Sequence, residues 1–126
     1  MMSDNEPPYD VTERTVAYAL RIIKLYRHIQ NDSVGRILGK QLLRSGTSVG
    51  ANVHEAQGAQ SRADFIAKLS IAQKEIIETG YWLRLLAEAQ IVPEDRISML
   101  RDETEQLTKI LSTILINSKK SATRKR

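Results

Sequence analysis

The chain predicts an all-α protein, an antiparallel up-and-down four-helix bundle, on three observations. No proline occurs between Pro8 and Pro93, so nothing there takes a backbone donor out of a helix. Apolar residues recur at steps of three and four, and no segment alternates with the period of two that a half-buried strand needs. The periodic segments are separated by short turns, and four helices joined that way run up, down, up, down. At 126 residues the chain suits one core rather than two. The expected organisation is an N-terminal segment 1–10, a bundle over 11–118 and a basic C-terminal tail over 119–126.

The first helix is expected from Asp10 or Thr12 to about Gln30, with Asp10 and Glu13 at the spacing of a capping box. It carries two apolar stripes. Val16, Ala19, Leu20 and Ile23 form one, and Tyr18, Ile22, Leu25 and Ile29 form the other, together wider than one intramolecular contact needs. Asn31, Asp32 and Ser33 make the turn, with Asp32 or Ser33 capping a second helix that starts at Val34 and ends by Gly58. Ile37, Leu38 and Leu42 give this helix its first face.

Ser61 with Asp64 again has capping-box spacing and opens a third helix that runs to about Ala89. Phe65, Leu69, Ala72, Ile76, Thr79, Leu83 and Leu86 recur by alternating fours and threes, the seam of a bundle. Pro93 is expected in the first helical position of the last helix, followed by Glu94 and Asp95, whose charges suit a helix N-terminus. Ile97, Leu100, Leu107, Leu111 and Ile114 form its apolar face, and it is expected to end near Asn117.

The segment QLLRSGTSVGANVHEA, from Gln41 to Ala56, puts small and hydroxyl residues where an amphipathic helix should gain apolar ones. Ser45, Ser48, Asn52 and Glu55 fall on one stripe, and Leu42, Val49, Val53 and Ala56 on the next. Gly46 and Gly50 each cost about 1 kcal/mol relative to alanine in a helix, which points to close backbone approach, a bend, or both. Arg44 leaves an otherwise apolar stretch and, where partly buried, needs carboxylate partners. Glu75 and Glu78, one turn apart on the third helix, are the natural ones.

The net charge is +4, and it is concentrated at the end. Lys119, Lys120, Arg124, Lys125 and Arg126 account for five of the 19 basic residues; without them 14 basic side chains face 15 acidic ones. A basic tail can hold RNA or DNA phosphates by counterion release, or serve only to solubilise. There is no cysteine, which excludes disulfides, thiolate metal sites and a cysteine nucleophile. The start, MMSDNEPPYD, lacks the basic and apolar runs of a signal peptide, and no stretch approaches a membrane span, so a soluble, cytoplasmic protein is expected.

Catalytic and cofactor signatures are missing. Neither His28 nor His54 has a glutamate three residues before it, as a di-iron bundle requires, and His54 reads as a surface or interface side chain. The glycines precede no Gly-Lys-Ser or Gly-Lys-Thr, and Arg44-Ser45-Gly46 is not a nucleophile elbow. Glu75 and Glu78 have no convergent histidine. No enzyme, cofactor or metal is expected.

The segments RSGTSVGANVHEA and DFIAKLSIAQKEIIETGYWLRLL resemble the bacterial four-helix-bundle family encoded by intervening sequences within 23S ribosomal RNA genes. The resemblance spans about residues 15–116 and rests on Arg44, Ser48, Asn52, Glu55 and Ala56, then on Glu75, Glu78, Tyr81 and Trp82. Many relatives have proline after the serine and Glu-Gly after the asparagine; here Gly50 and Glu-Ala stand instead, which points to a less interrupted second helix. The resemblance implies a compact bundle that assembles into a ring, typically a homopentamer, without established enzymatic activity. A distant relative is the accessory protein of diversity-generating retroelements, a basic pentamer that binds nucleic acid.

Two functions of different class follow. One is a non-enzymatic ring that binds RNA or another nucleic acid, with Arg44, Lys119, Lys120, Arg124, Lys125 and Arg126 as contacts. The other is a structural protein-interaction module in which the stripe of Ser45, Ser48, Asn52 and Glu55 serves helix packing. Tyr81, Trp82 and Leu85, together with the second stripe of the first helix, offer apolar surface for assembly.

Overall fold

The computed structural model describes residues 10–124, with side chains up to residue 121. Four α-helices follow in order: α1 (Val11–Ile29), α2 (Ser33–Gln57), α3 (Arg62–Glu88) and α4 (Glu94–Arg124). Local chemistry starts the first three. The Asp10 carboxylate accepts from the Glu13 N–H at 3.1 Å, Asp32 from Gly35 at 2.7 Å, and the Ser61 hydroxyl from Asp64 at 3.0 Å, each satisfying a donor the helix leaves open. Pro93 lies just before α4 rather than in its first turn. At the end of α3 the Ile91 N–H donates to the Leu86 carbonyl and the Gln90 N–H to Ala87, both at 3.0 Å. This closing turn places Gln90 at φ 61°, where glycine is usual.

Neighbouring helices run antiparallel. α1 packs on α2, α2 on α3 and α3 on α4, while α4 returns to α1 through a much lighter contact. The α3 seam faces the core as its spacing predicts: Leu69, Ala72, Ile76, Thr79, Leu83 and Leu86 are buried and Phe65 half-buried. Leu42, Val49, Val53 and Ala56 of α2 and Ile97, Leu100, Leu107 and Leu111 of α4 complete the interior.

Glycine sets the α1–α2 spacing. α2 continues unbroken through Gly46 and Gly50, so the close approach is present without a bend severe enough to interrupt the helix. A methyl on Gly46 would lie 2.9 Å from Ile22 Cγ1, and one on Gly39 would lie 2.7 Å from the Tyr26 ring. Both distances are inside van der Waals contact, so the α1 side chains occupy the space a Cβ would need.

Three further sequence expectations change. The spare stripe of α1 is the first one: Tyr18, Ile22, Leu25 and Ile29 are core, and Val16 and Leu20 face solvent. Both stripes are apolar, and the choice between them is made by where the glycine face of α2 lies. Ile37 is 64% exposed, because Gly35 and Gly39 take the inward face of α2. α4 continues past Asn117 through Lys119 and Lys120 to Arg124, since KKSATR contains no residue that breaks a helix.

Candidate functional site

The Gln41–Ala56 segment divides into parts with different partners. Arg44 reaches from α2 to α3, with Nη1 3.3 Å from Glu75 Oε1 and Nη2 paired with Glu78. Its Nε points to Gln41 Oε1 at 3.4 Å. Glu78 also accepts from the Trp82 indole N–H at 2.9 Å, and the Trp82 ring meets Tyr81 edge to face. Helical spacing explains the set, because Glu75, Glu78 and Trp82 lie at steps of three and four on one face of α3. Glu75 is the most enclosed of these charges, its side chain only 12% exposed. Arg44 is therefore a clamp between two helices, and a phosphate would have to displace two carboxylates to use it.

Asn52 and Glu55 take other partners than Glu75 and Glu78. Asn52 donates to the Ser48 carbonyl at 2.9 Å, and Ser48 to the Arg44 carbonyl at 2.8 Å, both within α2. Glu55 pairs with Lys68 at 2.9 Å, and this hydrogen bond holds the Lys68 ammonium above its usual pKa. Ser45 is the stripe residue that enters the core, where its hydroxyl lies 2.8 Å from that of Thr79. His54 is exposed, its Nδ1 2.8 Å from the Gly50 carbonyl.

Across the α1–α4 seam, Arg14 holds Glu103 at 2.7 Å and Gln106 at 3.1 Å. Next to them the buried Tyr18 hydroxyl lies 2.6 Å from Thr104 Oγ1. Thr104 directs its own proton to the Leu100 carbonyl at 2.8 Å, so Tyr18 is the donor. Burial pushes the Tyr18 phenol well above its usual pKa and keeps it protonated. Farther along, the seam opens into a cleft of about 310 Å³ lined by Arg21, Lys24, Leu25, His28, Arg96 and Leu100. No sequence expectation named this cleft. Its signal was nonetheless present, since Arg21, Lys24, Arg27 and His28 occur with no acid between Glu13 and Asp32.

A second concavity, about 260 Å³, lies between α3 and α4; its walls include Ile77 and Gly80 with Thr108, and Glu105 and Lys109 at the α4 side. Ile77 and Tyr81 are 58% and 55% exposed beside it. Of the basic end, Lys119 and Lys120 are exposed on α4 and Arg124 closes the helix, while Lys125 and Arg126 lie outside the described residues. Among the described residues no group of three or more His, Cys, Asp or Glu side chains could hold a metal ion. No described helix is long and apolar enough to cross a membrane.

Comparison with curated proteins found no match. Among solved structures, the chain is similar to a crystal structure of a protein of unknown function from the S23 ribosomal protein family of Bacteroides thetaiotaomicron VPI-5482. The two are 42% identical with a TM-score of 0.80, over 83% of this chain and 97% of that one. Residues 8–113 match the family described as 23S rRNA-intervening sequence protein. That match takes in the Arg44–Glu75–Glu78 clamp, the buried Ser45–Thr79 pair and the glycine face of α2, and the chain belongs to the 23S rRNA-intervening sequence protein family.

Proposed function

We propose that the chain is a non-enzymatic, self-associating bundle, a homopentamer in its assembled form, that presents its basic α4 ends to nucleic acid. The observation that carries assembly is Gly80. A methyl there would lie 3.6 Å from its nearest neighbour, Thr104 Cγ2, an ordinary contact, so packing within the chain does not call for glycine. A mid-helix glycine costs about 1 kcal/mol relative to alanine, and this one lies in a groove with exposed Ile77 in its wall and exposed Tyr81 next to it along the chain. A helix of a second copy seated on the groove explains both the missing methyl and the exposed side chains.

Lys119 and Lys120 support the nucleic-acid half, because helical order to Arg124 brings basic residues onto a continuous rod that assembly would multiply. Light scattering at micromolar concentration tests assembly: a multimer that Ile77→Asp and Tyr81→Asp disperse is expected, and a monomeric wild type overturns the proposal. RNA binding across a salt series, with Lys119→Gln/Lys120→Gln as comparison, tests the second half. A multimer that binds no RNA at low salt would leave the structural interaction module.

A further inference from the structure

The α1–α4 cleft has the chemistry of an anion site. Arg21, Lys24 and His28 follow one another at steps of three and four, so α1 presents them on one side, and α4 brings Arg96 to face them. Arg96 Nη1 lies 3.4 Å from His28 Nε2 and donates to it across the seam. Leu25 and Leu100 form the floor and are 9% and 4% exposed. An apolar floor keeps water from one side of the cleft and strengthens the field of the charges above it.

The cations lining the cleft are not neutralised by ion pairs within the described chain. Arg14, Arg44, Lys68, Arg84 and Arg101 each have a carboxylate partner. None of Arg21, Lys24, His28 and Arg96 forms an ion pair with a described carboxylate, although Glu103 and Glu94 lie on the same helix as Arg96, engaged by Arg14 and Arg101. Three cations from two helices, Arg21, Lys24 and Arg96, thus converge on one cavity with His28 beside them. The three cations repel one another until an anion enters, and two planar guanidinium forks suit an oxyanion. The volume is at the lower end of ligand-sized clefts, enough for one phosphate group and a small substituent.

We infer that this cleft binds a phosphate group through Arg21, Lys24, His28 and Arg96. The group is either a free phosphate compound or one phosphodiester of a nucleic-acid strand. The inference is independent of the basic α4 end, which begins about 35 Å farther along the helix at 1.5 Å per residue.

Titration of the full chain with inorganic pyrophosphate, and separately with a short single-stranded RNA, tests it. Heat of binding and the His28 ring proton shifts are the readouts. Arg96→Gln and Arg21→Gln, both exposed and expected to melt as the wild type does, should weaken binding at least tenfold, while Lys119→Gln/Lys120→Gln should leave the His28 shifts unchanged. Pyrophosphate binding lost in Arg96→Gln assigns a free phosphate compound; RNA binding lost there, without pyrophosphate binding, assigns a phosphodiester. Binding of neither probe, or binding that both arginine variants leave intact, overturns the inference.

Discussion

Thr79 of α3 and Ser45 of α2 meet hydroxyl to hydroxyl at 2.8 Å, with neither residue exposed to solvent. Thr79 also lies 2.7 Å from the Glu75 carbonyl, and Ser45 3.4 Å from that of Leu42. The pair is a polar rivet in an apolar layer, and Ser45 in particular depends on Thr79 for its best partner. Thr79→Val keeps the shape and strands Ser45, so a loss of about 1–2 kcal/mol is expected. Urea unfolding of Ser45→Ala, Thr79→Val and the double variant checks this: the double should cost less than the sum of the singles, and strict additivity would mean the hydroxyls do not interact.

Gly46 and Gly80 should respond oppositely to alanine. Gly46→Ala drives a methyl into Ile22 and should destabilise the bundle by about 1–3 kcal/mol. Gly80→Ala has room within the chain and should stabilise an isolated bundle by up to about 1 kcal/mol, while weakening self-association. Thermal melts together with sedimentation velocity separate the two effects.

Removing the Arg44 charge while keeping its stem, as Arg44→Met, leaves Glu75 and Glu78 facing each other one turn apart. A loss of about 1 kcal/mol is expected, modest because Arg44 is half-exposed. The deficit should narrow in molar salt, which screens both the lost pair and the new repulsion. Trp82 is the single tryptophan and bonds to Glu78, so its emission follows the cluster directly; Glu78→Ala should shift that emission to longer wavelength as the indole N–H turns to water.

Tyr18 makes the bundle sensitive to alkali. Its phenol is raised by burial, so the folded state holds the proton more tightly than the unfolded chain does. The stability tied to that proton is complete below the unfolded value of about 10 and is lost as pH rises from there toward the folded value. At neutral pH, Tyr18→Phe should cost about 1 kcal/mol through the lost bond to Thr104. Above about pH 10 the gap should close and then reverse, and urea midpoints measured at several pH values follow the crossing.

What the sequence discloses is mostly local. Asp10 and Ser61 stand three residues before the N–H they cap, and the seam from Leu69 to Leu86 is a repeat within one helix, so period and spacing suffice for both. The choice between the two α1 stripes is not local. Val16 and Ile22 are equally apolar, and only the glycine face of α2 decides which goes inside. Of the Gln41–Ala56 segment, the Arg44 pairing with Glu75 and Glu78 follows from charge and helical phase. The partner of Glu55, Lys68 on the next helix, depends on side-chain reach that spacing does not encode. The α1–α4 cleft is hidden in a net charge because that sum runs over the chain: the body is close to neutral, and the local cluster of Arg21, Lys24 and Arg96 is offset by acids elsewhere.

The glycine face of α2 also fixes how α1 can lie along its partner. Ile22 sits over Gly46 and Tyr26 over Gly39, with Leu42 filling the interval between those two glycines. A slide of α1 by one turn, about 5.4 Å, would bring bulk against bulk where a hollow now receives each side chain. Shape-matching of this kind acts as a ruler: the hairpin has one permitted alignment, and the groups on the outer side of α1, from Arg14 to His28, inherit fixed positions opposite α4 from a row of absent side chains they never touch.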